Sequence, residues 1–230
     1  MEENPILSKW HKGKETADTK IGDGFVSAHT GRKIGLRRKN LDTPEGEKFY
    51  VYKEIGNMKE AKDSMEIYQK MKMLNLPVVE FAKIIKKRSA DEKDEFLFAM
   101  EDLTRNGEYE VIEVVLSSLI REIPTDITEG MVKALATVHN HGMYDYHPNI
   151  SFALRTKNDQ VVDFKIIDYA NFTTKERERS WASYREGDFE NECEKDLFTL
   201  LDLLGLGKQD QENLASLYRK ERSLSINTSV

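Results

Sequence analysis

The chain has 230 residues, 39% hydrophobic and 33% charged, with a net charge of −6. That length allows one sizeable core or two small ones. The negative charge gives no electrostatic support to nucleic-acid binding, and no apolar run approaches the roughly 20 residues of a membrane span, so neither is an expected partner. Cys193 is the single cysteine, which excludes an intrachain disulfide and suits a reducing cytoplasm. No basic segment leads into an apolar run near Met1, so no secretory signal is expected.

Residues 1–19 are polar and lysine-rich and read as a loosely ordered segment. From Ile21 to Ile55 the pattern is strand-like, with Phe25-Val26, Ile34-Gly35-Leu36 and Phe49-Tyr50-Val51-Tyr52 separated by turn residues. Asn57 is placed to cap a helix through about Leu74, with Met58, Ala61, Met65, Tyr68, Met71 and Met73 as its apolar positions and Pro77 beyond it. Val78 to Ile85 reads as a strand, Ala90 to Glu95 as a charged turn and Phe96 to Met100 as another strand.

Glu108 to Glu122 and Thr128 to His141 read as two helices, the second stopped by Gly142. Ile150 to Leu154 and Val161 to Ile167 read as strands joined by residues 155–159. Lys175 to Arg179 reads as a charged loop or short helix, Cys193 to Leu204 as a buried helix and Gln209 to Arg222 as an amphipathic one. A strand-rich first part followed by a helix-rich second part predicts an α+β fold with two lobes. The expected division is a strand-rich lobe with one helix over 20–103 and a helical lobe over 104–230.

The chemistry concentrates in two frames, Met143-Tyr144-Asp145-Tyr146-His147-Pro148-Asn149-Ile150 and Val162-Asp163-Phe164-Lys165-Ile166-Ile167-Asp168. An Asp, then a nearby Asn, then an Asp ending an apolar strand is the set that phosphoryl transfer from ATP needs. One carboxylate orients the attacking hydroxyl, and the Asn and second carboxylate hold Mg²⁺. Upstream, Ile21-Gly22-Asp23-Gly24-Phe25-Val26-Ser27 fits a glycine turn whose main-chain N–H groups can cradle phosphates. Lys53 ends an apolar strand, and Glu66 lies in the following helix, where it can hold Lys53 on the phosphates. Glu60 and Asp63 compete for that role. Glu101-Asp102-Leu103 follows a strand and can offer backbone groups to a flat heterocycle. The histidines His139, His141 and His147 with Cys193 fit no usual zinc spacing, and Cys193 has no nucleophile signature around it.

With these parts in order over roughly residues 20–205, the chain resembles the protein-kinase-like fold. The resemblance implies a minimal two-lobed kinase with a truncated C-lobe, similar to bacterial effector or phage-encoded kinases, using ATP and Mg²⁺. Lys53 looks like the strand lysine, Glu66 its helix partner, Asp145 the catalytic Asp, Asn149 and Asp168 the metal ligands. Gly22, Gly24, Ser27, Glu101 and Leu103 look like nucleotide contacts, and Asp196 like the aspartate that buttresses the catalytic loop.

The departures shape the expectations. Ser27 replaces the third glycine, Met143-Tyr144 replaces His-Arg, and Tyr169-Ala170 replaces Phe-Gly. The Asp145–Asn149 spacing is four rather than five, and His147 is similar to the pattern of aminoglycoside-type phosphotransferases. Without the Arg, an activating phosphate among Thr173, Thr174, Ser180, Ser183 or Tyr184 has no usual anchor. The expected function is Ser/Thr phosphorylation of a protein substrate in the cytoplasm, or in a host cytosol if the protein is delivered there. A small-molecule phosphotransferase and a pseudokinase binding module are the alternatives. A host protein that orders the reduced C-lobe is a further expected partner.

Overall fold

Antiparallel ladders dominate the first part of the chain in a computed structural model. It describes residues 19–20, 25–26, 33–34, 37–43, 46–55, 58–88, 94–101, 103, 108–113, 122–145, 152–167, 169–178 and 188–227. The chain divides into two compact units, Met1–Asp63 with Val79–Glu108, and Ser64–Val78 with Tyr109–Val230. The elements make an α+β protein.

In the first unit the strands are β1 (Thr19–Lys20), β2 (Phe25–Val26), β3 (Lys33–Ile34), β4 (Arg37–Thr43), β5 (Gly46–Ile55), β6 (Phe81–Arg88) and β7 (Asp94–Glu101). Five form one sheet in the order β1-β4-β5-β7-β6, and β2 pairs with β3 separately. All these pairings are antiparallel. Lys53 is not at a strand end as expected: β5 continues to Ile55, and Lys53 stands opposite Phe98 of β7. The strand expected from Val78 begins only at Phe81. Val78 instead bridges Ile166 in parallel, and the Ile166 N–H donates to the Pro77 carbonyl at 2.8 Å, so this stretch belongs to the second unit.

The second unit takes most of α1 (Met58–Met73). Ser64, Ile67, Tyr68 and Met71 are its buried stripe, at helical spacing, whereas Met58 and Met73, expected on that face, are exposed. Asn75 closes the helix at φ 55° while the Leu76 N–H reaches back to the Met71 carbonyl, a left-handed cap for which Asn is suited.

The helix expected from Glu108 is absent where it should begin. Glu110–Glu113 is strand β8, paired antiparallel with β10 (Phe152–Lys157). The β-branched Val111 and Ile112 suit a strand, and β8 covers the edge that β10 would otherwise leave open. β10 pairs on its other side with β11 (Gln160–Ile166), in the order β11-β10-β8. The β10–β11 turn has two residues, Asn158 and Asp159, at φ 52° and 61°, not the five expected. Both angles are left-handed, as the tight hairpin turn demands and as Asn and Asp tolerate. Arg155 is thereby a strand residue, and its Nε donates to Asp163 Oδ1 at 2.7 Å.

Helix α2 (Thr125–Asn140) begins three residues earlier than expected and ends at Asn140, with Gly142 two residues beyond it at φ 69°. Met131, Val132, Leu135, Ala136 and Val138 are buried, making α2 the central helix of the unit. The Phe164 ring of β11 lies against Gly130, where a Cβ would sit 3.0 Å from it. β9 (Met143–Asp145) then pairs with β12 (Phe172–Thr174), a strand with no counterpart in the expected elements. Helices α3 (Lys175–Glu178), α4 (Asp188–Leu203) and α5 (Lys208–Asn227) follow, α4 starting five residues before Cys193.

Candidate active site

Asp145 is the last residue of β9, placed by a chain reversal at Gly142 that returns from α2. Only a residue tolerant of positive φ makes that reversal without strain. The strand is buried throughout: Met143, Tyr144 and Asp145 are at most 2% exposed. Tyr144 packs edge-on to Phe189 of α4, ring centroids 5.8 Å apart, in a cluster with Cys193. The Tyr144 side chain is thus core packing.

A buried carboxylate holds this strand. The Asp145 N–H donates to Asp196 Oδ2 at 3.0 Å. The same oxygen lies 3.1 Å from His139 Nε2, and His139 Nδ1 is 2.6 Å from the Tyr218 hydroxyl. Burial lowers the His139 pKa below its ordinary 6.5, against the opposing pull of Asp196, so the neutral ring is favoured. Burial also pushes the Tyr218 and Cys193 pKa values up, keeping the phenol and the thiol protonated. His139, weighed above only as a metal ligand, is therefore a structural partner of Asp196. Its position on the buried stripe of α2, four residues after Leu135, was the sequence signal, since a polar ring on an apolar face needs a partner. Tyr218 lies likewise on a buried stripe with Leu214 and Ala215.

The ladder register brings β12 to Asp145. Phe172 stands opposite Asp145 as the end pair of β9 and β12. Asn149 follows Asp145 by four residues and Asp168 precedes Phe172 by four. Asn149 and Asp168 themselves lie outside the described residues, as do Gly22, Gly24 and Ser27.

On either side of Asp168 the chain is held. Ile166 is buried, and Tyr169 packs on Tyr68 of α1 with centroids 5.3 Å apart. Glu66 of α1 pairs with Lys70 at 3.1 Å and with Arg177 of α3 at 3.7 Å. Glu101 spends its N–H on the Glu80 carbonyl at 2.8 Å, which removes that donor from any heterocycle, and Leu103 is buried. Of the residues considered for an activating phosphate, Thr173 and Thr174 are buried in β12, and Thr174 Oγ1 accepts from the Arg177 N–H at the start of α3.

Among the described residues no group of three or more His, Cys, Asp or Glu side chains is placed to hold a metal ion, and no helix is long and apolar enough to cross a membrane. No family model and no curated protein matches the chain. Among solved structures, WaaP in complex with acyl carrier protein aligns over 87% of this chain and 79% of its own length, at 15% identity and a TM-score of 0.48.

Proposed function

We propose that the chain is an ATP- and Mg²⁺-dependent phosphotransferase whose acceptor is a protein Ser or Thr hydroxyl. The observation that supports it is the bond from the Asp145 N–H to the buried Asp196. A catalytic carboxylate must be held in a productive orientation, and a fixed backbone at its own residue is an economical way to do so.

Bound nucleotide with Mg²⁺ supplies the transferable γ-phosphoryl group and the cation that neutralises its charge. The donor set fits that cation: Asp168 and Asn149 offer a carboxylate and an amide oxygen, hard ligands of the kind Mg²⁺ takes. In this reading Asp145 orients the acceptor hydroxyl and takes its proton. Lys53 orients the α- and β-phosphates, and Glu66 holds Lys53. Gly22, Gly24 and Ser27 cover the phosphates, while Glu101 and Leu103 flank the base.

Purified protein incubated with γ-labelled ATP, Mg²⁺ and cell lysate tests this. Label in protein bands supports the proposal. Label confined to small molecules would reassign the acceptor. No label, together with no rise in melting temperature on adding Mg·ATP, would sink the phosphotransferase reading, since a ligand that binds the native state must stabilise it.

A further inference from the structure

We propose that Tyr218 is a positioning residue for phosphotransfer, acting from the last helix on Asp145 through His139 and Asp196. The inference rests on the phosphotransferase reading of the site.

The hydrogen-bond directions are forced by the inventory of donors and acceptors. Asp196 Oδ2 meets two nitrogens, Asp145 N at 3.0 Å and His139 Nε2 at 3.1 Å. The first is a backbone donor, and a carboxylate oxygen beside an imidazole nitrogen accepts, so Nε2 carries the ring hydrogen. In the neutral ring Nδ1 is then an acceptor, and the Tyr218 hydroxyl 2.6 Å away donates to it. The chain of bonds runs one way: Tyr218 O–H to His139, His139 N–H to Asp196, with the Asp145 N–H meeting the same oxygen. Burial of His139 and Tyr218 reinforces this pattern, because it keeps the ring neutral and the phenol protonated.

Tyr218 thus selects the tautomer of His139. Without its hydroxyl, Nδ1 is a buried acceptor with nothing to accept. The ring then gains by moving its hydrogen to Nδ1 or by turning, and either change takes the donor away from Asp196. A carboxylate that has lost one of two donors is less fixed, and so is the Asp145 amide that it grips.

The helix bearing Tyr218 is itself pinned one turn further on. Arg222 donates to Asn140 Oδ1 at 3.3 Å and pairs with Glu190 of α4, and Asn140 Nδ2 donates to the Glu221 carbonyl at 3.1 Å. These bonds tie α5 to the end of α2 and the start of α4, the two helices that carry His139 and Asp196. A tyrosine kept only for its bulk would need no 2.6 Å bond to a ring nitrogen; the ring contact with His139, centroids 5.7 Å apart, would suffice.

The test compares Tyr218→Phe with Leu214→Ala, a buried control on the same helix face that leaves the hydroxyl in place. Three readouts are taken: hydrogen exchange of the Asp145 amide, the ¹⁵N shifts of the His139 ring, and kcat and KM for ATP. Tyr218→Phe should raise Asp145 exchange about tenfold beyond the control and alter the Nδ1/Nε2 shift pattern. It should lower kcat by about tenfold with KM for ATP within about twofold, a scale set by the sensitivity of rate to small misplacements. Wild-type shifts and wild-type Asp145 exchange in Tyr218→Phe would overturn the proposal, as would equal exchange in the two variants. Absence of turnover in the wild-type protein would overturn the phosphotransferase reading and the catalytic half of this one. The exchange and nitrogen shifts would then still decide whether Tyr218 holds Asp145.

Discussion

Replacing Asp196 by Ala removes one acceptor oxygen that serves two buried donors, the Asp145 N–H at 3.0 Å and His139 Nε2 at 3.1 Å. A buried donor left without a partner costs about 1–3 kcal/mol, so the pair costs about 2–6 kcal/mol. Deleting the carboxylate also relieves its own desolvation, which offsets part of that loss. The partner ring is neutral, so no unpaired charge is left behind. We expect a net loss of about 3–4 kcal/mol for Asp196→Ala. Asp196→Asn should lose about half as much, because its amide oxygen still accepts. For a chain of this size each kcal/mol lowers the melting temperature by about 2–4 °C, so the Ala variant should melt about 6–16 °C below wild type. Urea unfolding followed by far-ultraviolet circular dichroism gives both midpoint and slope, separating a stability change from a change in the denatured state. A loss below about 1 kcal/mol for Asp196→Ala would mean that the two donors find other partners, and that Asp196 does not hold β9.

Lys53→Met should leave the fold intact and remove most phosphotransfer, read as turnover of labelled ATP; normal turnover would show that another group serves the phosphates. Asp168→Asn should abolish the Mg²⁺-dependent part of nucleotide stabilisation in a thermal-shift titration, since it removes the charged ligand of the pair and leaves the cation two neutral amides. Asp145→Asn should keep that stabilisation and lose about 10²–10⁴-fold in turnover; equal loss of binding in both would refute the separate roles. His139, faced by Asp196, Tyr218, Arg222 and Glu190, takes up a proton less readily folded than unfolded because it is buried. Its contribution is therefore complete above its ordinary 6.5 and is lost as pH falls from there through the lowered folded value, at up to about 1.4 kcal/mol per pH unit. The slope of stability against pH in that window should shrink in His139→Gln, and an unchanged slope would assign it to other groups. Thr173 Oγ1 is buried with no hydrogen-bond partner among the described residues. Thr173→Val should therefore be neutral or stabilising by up to about 1 kcal/mol in urea unfolding, and a clear loss would reveal a partner for the hydroxyl.

Local pattern alone was enough for the elements whose partners are their own neighbours. The helical spacing of the 58–73 stretch, the stop at Gly142 and the strand run Phe96 to Met100 were legible because each depends on residues within a turn or two. The order of Lys53, Glu66, Asp145, Asn149, Asp168 and Asp196 was legible too, as a resemblance. For Asp196 the structure places the carboxylate on the Asp145 amide. Tertiary structure decided the rest. Glu-Val-Ile-Glu at 110–113 carries charge and apolar residues in a pattern that suits helix and strand alike, and the open edge of β10 settled it as β8. Arg155 looked like part of a loop until two left-handed residues closed the hairpin beyond it. Glu66 found Arg177, and Tyr218 found His139 across 79 positions. Periodicity states which face of a helix is buried; it does not state against what. A hydrogen bond between two buried polar groups is specified only when both helices have packed, because the cost of leaving either group unpaired arises only once water has been excluded from both.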